Sequence, residues 1–214
     1  MGGENQVELI WLIFDYLGTI AFALSGVLVG MQRRMDIFGI AMLALATAVG
    51  GGMIRDTLVG NVPPAALKNP VYISISLLTT ILLFTVYRTP RSSKTRRNKL
   101  WIRFYHMADT LGLASFTVTG AMVGLAADPR SLFLLPMALA MITACGGGIL
   151  RDICASKIPV VFRADVYASA SLTGAFVFCI LRELSTLEWA APIAFLTVVM
   201  LRVLALRYHW RLPS

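Results

Sequence analysis

Two stretches of the chain join three consecutive glycines to an arginine–aspartate pair. Residues 48–56 read Ala-Val-Gly-Gly-Gly-Met-Ile-Arg-Asp, and residues 144–152 read Ala-Cys-Gly-Gly-Gly-Ile-Leu-Arg-Asp. Both lie deep inside long apolar segments. Each glycine disfavours a helix by about 0.8–1 kcal/mol relative to alanine, and a charge at membrane depth costs several kcal/mol more unless paired or wetted. Two uses could justify the glycines of residues 50–52 and 146–148 (Gly50, Gly51, Gly52, Gly146, Gly147 and Gly148). One is close packing of helices. The other is a helix break, whose free carbonyls suit a cation and whose free N–H groups suit an anion. We expect the break, with two interrupted helices facing each other across a pathway. The pattern points to a path without naming the ion.

The charged residues of the two motifs are Arg55, Asp56, Arg151 and Asp152. Neighbours on a helix point about 100° apart, so each arginine is expected to find its acid on another helix rather than beside it. The candidates are Asp15 and Asp109, giving two equivalent pairs, Asp15–Arg55 and Asp109–Arg151, that gate or line two vestibules. The hydroxyls of Ser25 and Thr119 are candidates to line a pore near the midplane. Gly26 and Gly30, with Gly120 and Gly124, repeat at small-xxx-small spacing and read as helix packing. Pro63 and Pro159 read as helix stops. Lys68 and Arg163 read as interfacial anchors, and Tyr72 and Tyr167 as packing residues.

The elements that must position these groups follow from composition. The 214 residues are 57% hydrophobic and 14% charged, against about 25% charged in a soluble domain. Apolar runs long enough to span hydrocarbon recur, with no β-barrel alternation. Spans are expected at 9–31, 37–60, 71–88, 102–126, 131–154, 165–182 and 189–207. The start, with Glu4 and Glu8, lacks a basic leader region, so the first span is expected to be retained. The net charge of +8 sits in loops and reads as topology rather than nucleic-acid binding. The loop holding Arg91, Lys94, Arg96, Arg97, Lys99 and Arg103 should be cytoplasmic, which sets the N-terminus outside and the C-terminus inside. Trp11, Trp101, Trp189 and Trp210 fall near span ends as an aromatic belt.

The duplication extends beyond the motif. Asp15, Gly18, Phe22, Ser25, Gly26 and Gly30 match Asp109, Gly112, Phe116, Thr119, Gly120 and Gly124, and Tyr72 matches Tyr167, at offsets of 94–96 residues. An odd number of spans per copy inserts the second copy upside down, the inverted-repeat plan of transport proteins. The expected fold is thus an all-α polytopic membrane protein. It has seven transmembrane helices as a 3+3 inverted repeat plus one, with helices 2 and 5 broken or kinked. Its divisions are a first repeat at 1–88, a basic loop at 89–103, the inverted repeat at 104–183, and a seventh helix with its tail at 184–214. Cys145, Cys154 and Cys179 read as buried small hydrophobes, and His106 and His209 lie apart, so no metal or cofactor is expected. The chain carries no hydrolase, zinc-protease or Walker motif, and an enzyme is not expected.

Two Gly-Gly-Gly-x-x-Arg-Asp motifs on this scaffold resemble a prokaryotic membrane family related to the trimeric intracellular cation (TRIC) channels, some members of which are described as glycine transporters. The resemblance covers nearly the whole chain. It implies a homotrimer in the bacterial or archaeal plasma (inner) membrane, surrounded by lipid, with a pore in each protomer between kinked helices 2 and 5. It implies monovalent cations (K⁺ and Na⁺), chiefly K⁺, as the permeant species. The residues it marks are Gly50, Gly51, Gly52, Arg55 and Asp56 with Gly146, Gly147, Gly148, Arg151 and Asp152. The animal channels carry a basic lipid-binding motif near the second helix where this chain has Gly50 to Asp56, so regulation of that kind is not carried over. The alternative is a secondary transporter of a small amino acid such as glycine, its carboxylate held at half-helix N-termini after Gly52 and Gly148.

Overall fold

A computed structural model describes residues 2–88, 94–163, 166–184, 186–208 and 210, with backbone alone at 2–4, 87–88 and 94–99. Its helices are α1 (Gly2–Gln32), α2 (Ile37–Leu58), the single-turn α3 (Ala65–Lys68), α4 (Val71–Arg88), α5 (Lys94–Ala127), α6 (Leu134–Cys154), α7 (Ala168–Leu184) and α8 (Leu187–Tyr208), with a 3₁₀ turn at Val160–Phe162. The stretches Asn5–Gln32, Ile37–Leu58, Leu100–Ala127, Leu134–Cys154 and Leu187–Tyr208 are long and apolar enough to cross a membrane, and Val71–Val86 is a shorter apolar helix. This is an all-helical membrane protein among the described residues; its helices overlie the expected spans, with α1 beginning early, at Gly2 rather than at residue 9, and five of them are clear apolar spans.

One boundary moves further. The expected basic loop at 89–103 is helical from Lys94, while residues 89–93 and the side chains to 99 lie outside the described set. Lysine and arginine are good helix formers and nothing in residues 94–103 breaks a helix, so their polarity marks solvent contact rather than a loop.

The larger correction concerns the glycines. Neither triplet interrupts its helix: α2 runs through Gly50–Gly52 and α6 through Gly146–Gly148. An unpaired backbone group within the membrane costs several kcal/mol, more than the propensity deficit of a glycine, so the hydrogen-bond ladder stays closed. The glycines serve contact instead. A methyl group on Gly51 would fall on the Thr143 carbonyl oxygen, and one on Gly147 on the Thr47 carbonyl oxygen. The two crossings are equivalent, and they let the α2 and α6 backbones touch.

The duplication is visible throughout. Helix α1 packs on α2 and α5, and α5 on α6, with α2 crossing α6 at the centre. A Cβ on Gly26 would meet Ala44 and Thr47, and on Gly120 it would meet Ala140 and Thr143. After α2 the chain turns through Gly60 in the left-handed region, at φ +79°, while Ser156 takes the corresponding place after α6 at φ 51°. Several buried hydroxyls return to their own helices, as in Thr47 to Leu43 O and Thr143 to Leu139 O, both 2.6 Å, which removes their polar cost in lipid or core, whereas Thr110 Oγ1 and Ser115 Oγ have no hydrogen-bond partner among the described residues. Leu78, Leu82, Leu134 and Leu196 stay exposed, the surface hydrocarbon would cover. Helix α8 stands outside the duplication, packed on α7 and α5.

Candidate functional site

The described residues bury seven charged side chains, and they fall into two groups. The first joins Asp15 of α1 to Arg55 and Asp56 at the end of α2, beside Tyr72 in the first turn of α4. The second joins Asp109 of α5 to Arg151 and Asp152 at the end of α6, beside Tyr167, and adds Arg202 from α8.

Within both groups the arginine turns back onto its neighbour, contrary to expectation. Arg55 Nε donates to Asp56 Oδ1 at 2.9 Å, and Arg151 Nε donates to Asp152 Oδ1 at 2.9 Å. The 100° between their Cβ directions is overcome because each aspartate is held by the following turn. Asp56 Oδ2 accepts from Ala65 N and Asp152 Oδ2 from Val160 N, both at 2.9 Å. A long guanidinium then folds back to the remaining oxygen. Asp56 and Asp152 are thereby clamps between a long helix and the short turn after it.

The cross-helix pairs differ. Arg151 Nη1 lies 2.6 Å from Asp109 Oδ1 and donates to Ser25 Oγ at 2.9 Å, bridging the two repeats. The expected Asp15–Arg55 pair does not form: Asp15 Oδ2 accepts from Tyr72 Oη at 2.6 Å, and Arg55 Nη1 is buried without a partner. A cavity of about 20 Å³ lies between them, lined by Asp15, Thr19, Gly52, Arg55 and Tyr72, room for about one water. Thr119, the counterpart of Ser25, makes only a 3.5 Å contact to Phe116 O. The difference is positional: in the first group Tyr72 makes the close contact to one Asp15 oxygen, while in the second Tyr167 stands off at 3.4 Å from Asp109 and Arg151 makes the close contact.

Between the groups lies an apolar contact. Phe22 and Phe116 meet edge to face at 5.2 Å, and Gly18 and Gly112 make room for them, since a methyl group on either would strike the opposite ring. Asp15 and Ser25 are ten residues apart on α1, which places the two groups about 15 Å apart along that helix with Phe22 between them. Sequence reasoning used both phenylalanines only as landmarks of the repeat. It missed Arg202, whose guanidinium lies 4.7 Å over the Tyr167 ring, because this charge has no repeated partner to draw notice. It also missed Tyr105, 5.1 Å under Arg151. Tyr72 and Tyr167 prove to be carboxylate partners rather than plain packing. His209 lies outside the described residues. Beyond the membrane segments, burial and then the Arg33 guanidinium hold the Lys157 ammonium below the ordinary lysine value. Arg33 itself donates to Ser156 O at 3.0 Å, tying the α1–α2 corner to the end of α6.

A family model described as "Glycine transporter" matches residues 12–88 and 106–183, the two repeats without α8. The chain is 34% identical over 206 residues to the UPF0126 inner membrane protein YadS of Escherichia coli, covering 95% of this chain and 94% of that protein. It is 38% identical over 207 residues to a UPF0126 membrane protein of Deinococcus radiodurans, covering 95% and 90%. Among solved structures, the trimeric intracellular cation channel orthologue of Rhodobacter sphaeroides superposes with a TM-score of 0.83 at 31% identity, covering 94% of this chain and 99% of that one. A prokaryotic TRIC channel in 0.5 M KCl superposes with a TM-score of 0.86 at 29% identity, covering 96% and 100%.

Proposed function

The chain belongs to the glycine-transporter family through both of its halves, and from that membership and the likeness to TRIC channels we propose that it is a cation channel. The observation that carries the proposal is the pair of buried charge groups at corresponding places in the two repeats, separated by the Phe22–Phe116 contact. Two polar vestibules around an apolar constriction form a closed path, since a dewetted neck stops ions without a plug.

In this reading the path runs through each protomer between α2 and α6, and monovalent cations, chiefly K⁺, pass it. The Gly50–Gly52 and Gly146–Gly148 carbonyls are engaged within their helices, so the oxygens that replace part of the hydration shell are those of Asp15, Asp109, Ser25 and Thr119. Arg151 is the latch: a guanidinium on Asp109 and Ser25 both opposes a cation and joins the repeats. Conduction requires it to leave and the two phenyl rings to part. The protein is a multi-pass inner membrane protein, a homotrimer in lipid, with α4 and α7 as its third and sixth spans and α8 as its seventh. Its N-terminus is outside and its C-terminus in the cytoplasm, as the basic residues around 91–103 support. The two separate matches of the family model support repeats at 1–88 and 104–183 flanking a basic loop and followed by the seventh helix. Neither the compared structures nor the family description names an enzyme, and none is proposed.

Recording the purified protein in a planar bilayer under a KCl gradient tests this. Unitary currents reversing near the K⁺ potential are expected, with a raised open probability in Arg151→Ala. An unchanged open probability would remove the latch. The family description favours a second reading, a carrier for glycine. Silence in the bilayer with saturable glycine uptake into liposomes would establish that reading instead.

A further inference from the structure

An inverted duplication by itself makes two equivalent ends, yet the two charge groups are not equivalent. We propose that Arg202, on the one long helix outside the duplication, is the positioning residue that decides which end of the path is shut. Its Nη1 donates to Val166 O at 2.9 Å, its Nη2 lies 3.7 Å from Asp109 Oδ2, and its plane covers the Tyr167 ring. Val166 and Tyr167 correspond to Val71 and Tyr72 in the first repeat. Tyr72 meets the uncharged Tyr16 ring at 5.9 Å where Tyr167 meets the Arg202 guanidinium.

Two consequences follow from that single side chain. The first is charge. Asp109 and Asp152 face two guanidiniums, whereas Asp15 and Asp56 face one. A buried group with an uncompensated carboxylate is costly and relaxes by taking up a proton, a cation or water. The second group is formally neutral, with two carboxylates against two guanidiniums, so its ion pair closes without a further cation. The second consequence is orientation. Arg202 stands 3.7 Å from Asp109 Oδ2, close enough for charge attraction but not for a hydrogen bond, and by holding Val166 and Tyr167 it keeps the tyrosine hydroxyl at 3.4 Å instead of the 2.6 Å seen for Tyr72. At Asp109 Oδ1 the close approach therefore belongs to Arg151, with Tyr167 at the longer distance, whereas at Asp15 Oδ2 it belongs to Tyr72. Closure at the Arg151 end and the open cavity at the Arg55 end are thus one asymmetry with one source.

The inference rests on the channel reading for its electrical consequence and on the geometry alone for its structural one, so two readouts are paired. Arg202→Met keeps the unbranched apolar stem and removes the charge, and Arg202→Lys keeps the charge. In planar bilayers Arg202→Met should raise the open probability by about tenfold, and Arg202→Lys should restore most of the closure. Hydrogen exchange read by mass spectrometry on the same purified proteins compares residues 152–163 with the equivalent residues 56–68. The Val160 amide is held by Asp152 and the Ala65 amide by Asp56, so each segment reports its own group. Arg202→Met should speed exchange in 152–163 by about tenfold and leave 56–68 unchanged. Exchange that rises equally in both segments, or not at all, overturns the inference, and so does Arg202→Lys behaving like Arg202→Met. If wild type and variants are all silent in the bilayer, the channel reading fails. The exchange comparison still decides the role of Arg202.

Discussion

The reassignment of the glycines from helix breaks to contact points makes neighbouring substitutions diverge. A methyl group on Gly51 or Gly147 lands on a backbone carbonyl of the opposite helix, which no rotamer change can relieve. To accept it, α2 and α6 must part by about an ångström, with loss of the dispersion contacts along the crossing. Overpacking of this kind costs about 1–3 kcal/mol, against a gain of about 1 kcal/mol in helix propensity. A methyl group on Gly52 meets only Arg55 Nη2 at 3.6 Å, an ordinary contact, so Gly52→Ala keeps the propensity gain with no clash. Gly148→Ala falls between, since its methyl would stand 3.0 Å from the Tyr167 hydroxyl. At about 2–4 °C per kcal/mol for a chain of this size, Gly51→Ala should melt several degrees below wild type and Gly52→Ala slightly above it. The assay is thermal unfolding of the purified variants in one detergent. If Gly52→Ala loses as much as Gly51→Ala, the triplets are needed for backbone distortion, and the contact argument is refuted.

Two further outcomes follow from the charged groups. Removing one partner of a buried ion pair costs about 3–5 kcal/mol because the other charge is stranded. Arg151→Ala and Asp109→Ala should therefore be strongly non-additive, with a coupling above about 1 kcal/mol, whereas Arg55→Ala and Asp15→Ala should be additive. Equal coupling in the two cycles would contradict the asymmetry. At the turn after α6, the lowered pKa of Lys157 means the folded state disfavours its ammonium. The penalty is present below the lowered folded value and disappears as pH rises past the ordinary 10.5. Lys157→Met should raise the melting temperature at pH 7 and lose that advantage near pH 10.5, and a difference that does not vary with pH would refute it.

The amino-acid sequence alone determined the membrane class, the all-helical fold, the duplication and the Asp109–Arg151 partnership. These depend on local composition and on residue types repeated in register, and both are read without knowing distances. The tertiary structure alone decided what the glycines do, because a glycine that breaks a helix and a glycine that admits a second helix have the same missing side chain. Only the position of the Thr47 and Thr143 carbonyls distinguishes them. It also decided that Arg55 and Arg151 fold back on Asp56 and Asp152, since that depends on the turns that anchor those carboxylates. The inequality of two nearly equal halves came from Arg202, a charge on the unrepeated helix, which no comparison of the repeats with each other could reveal.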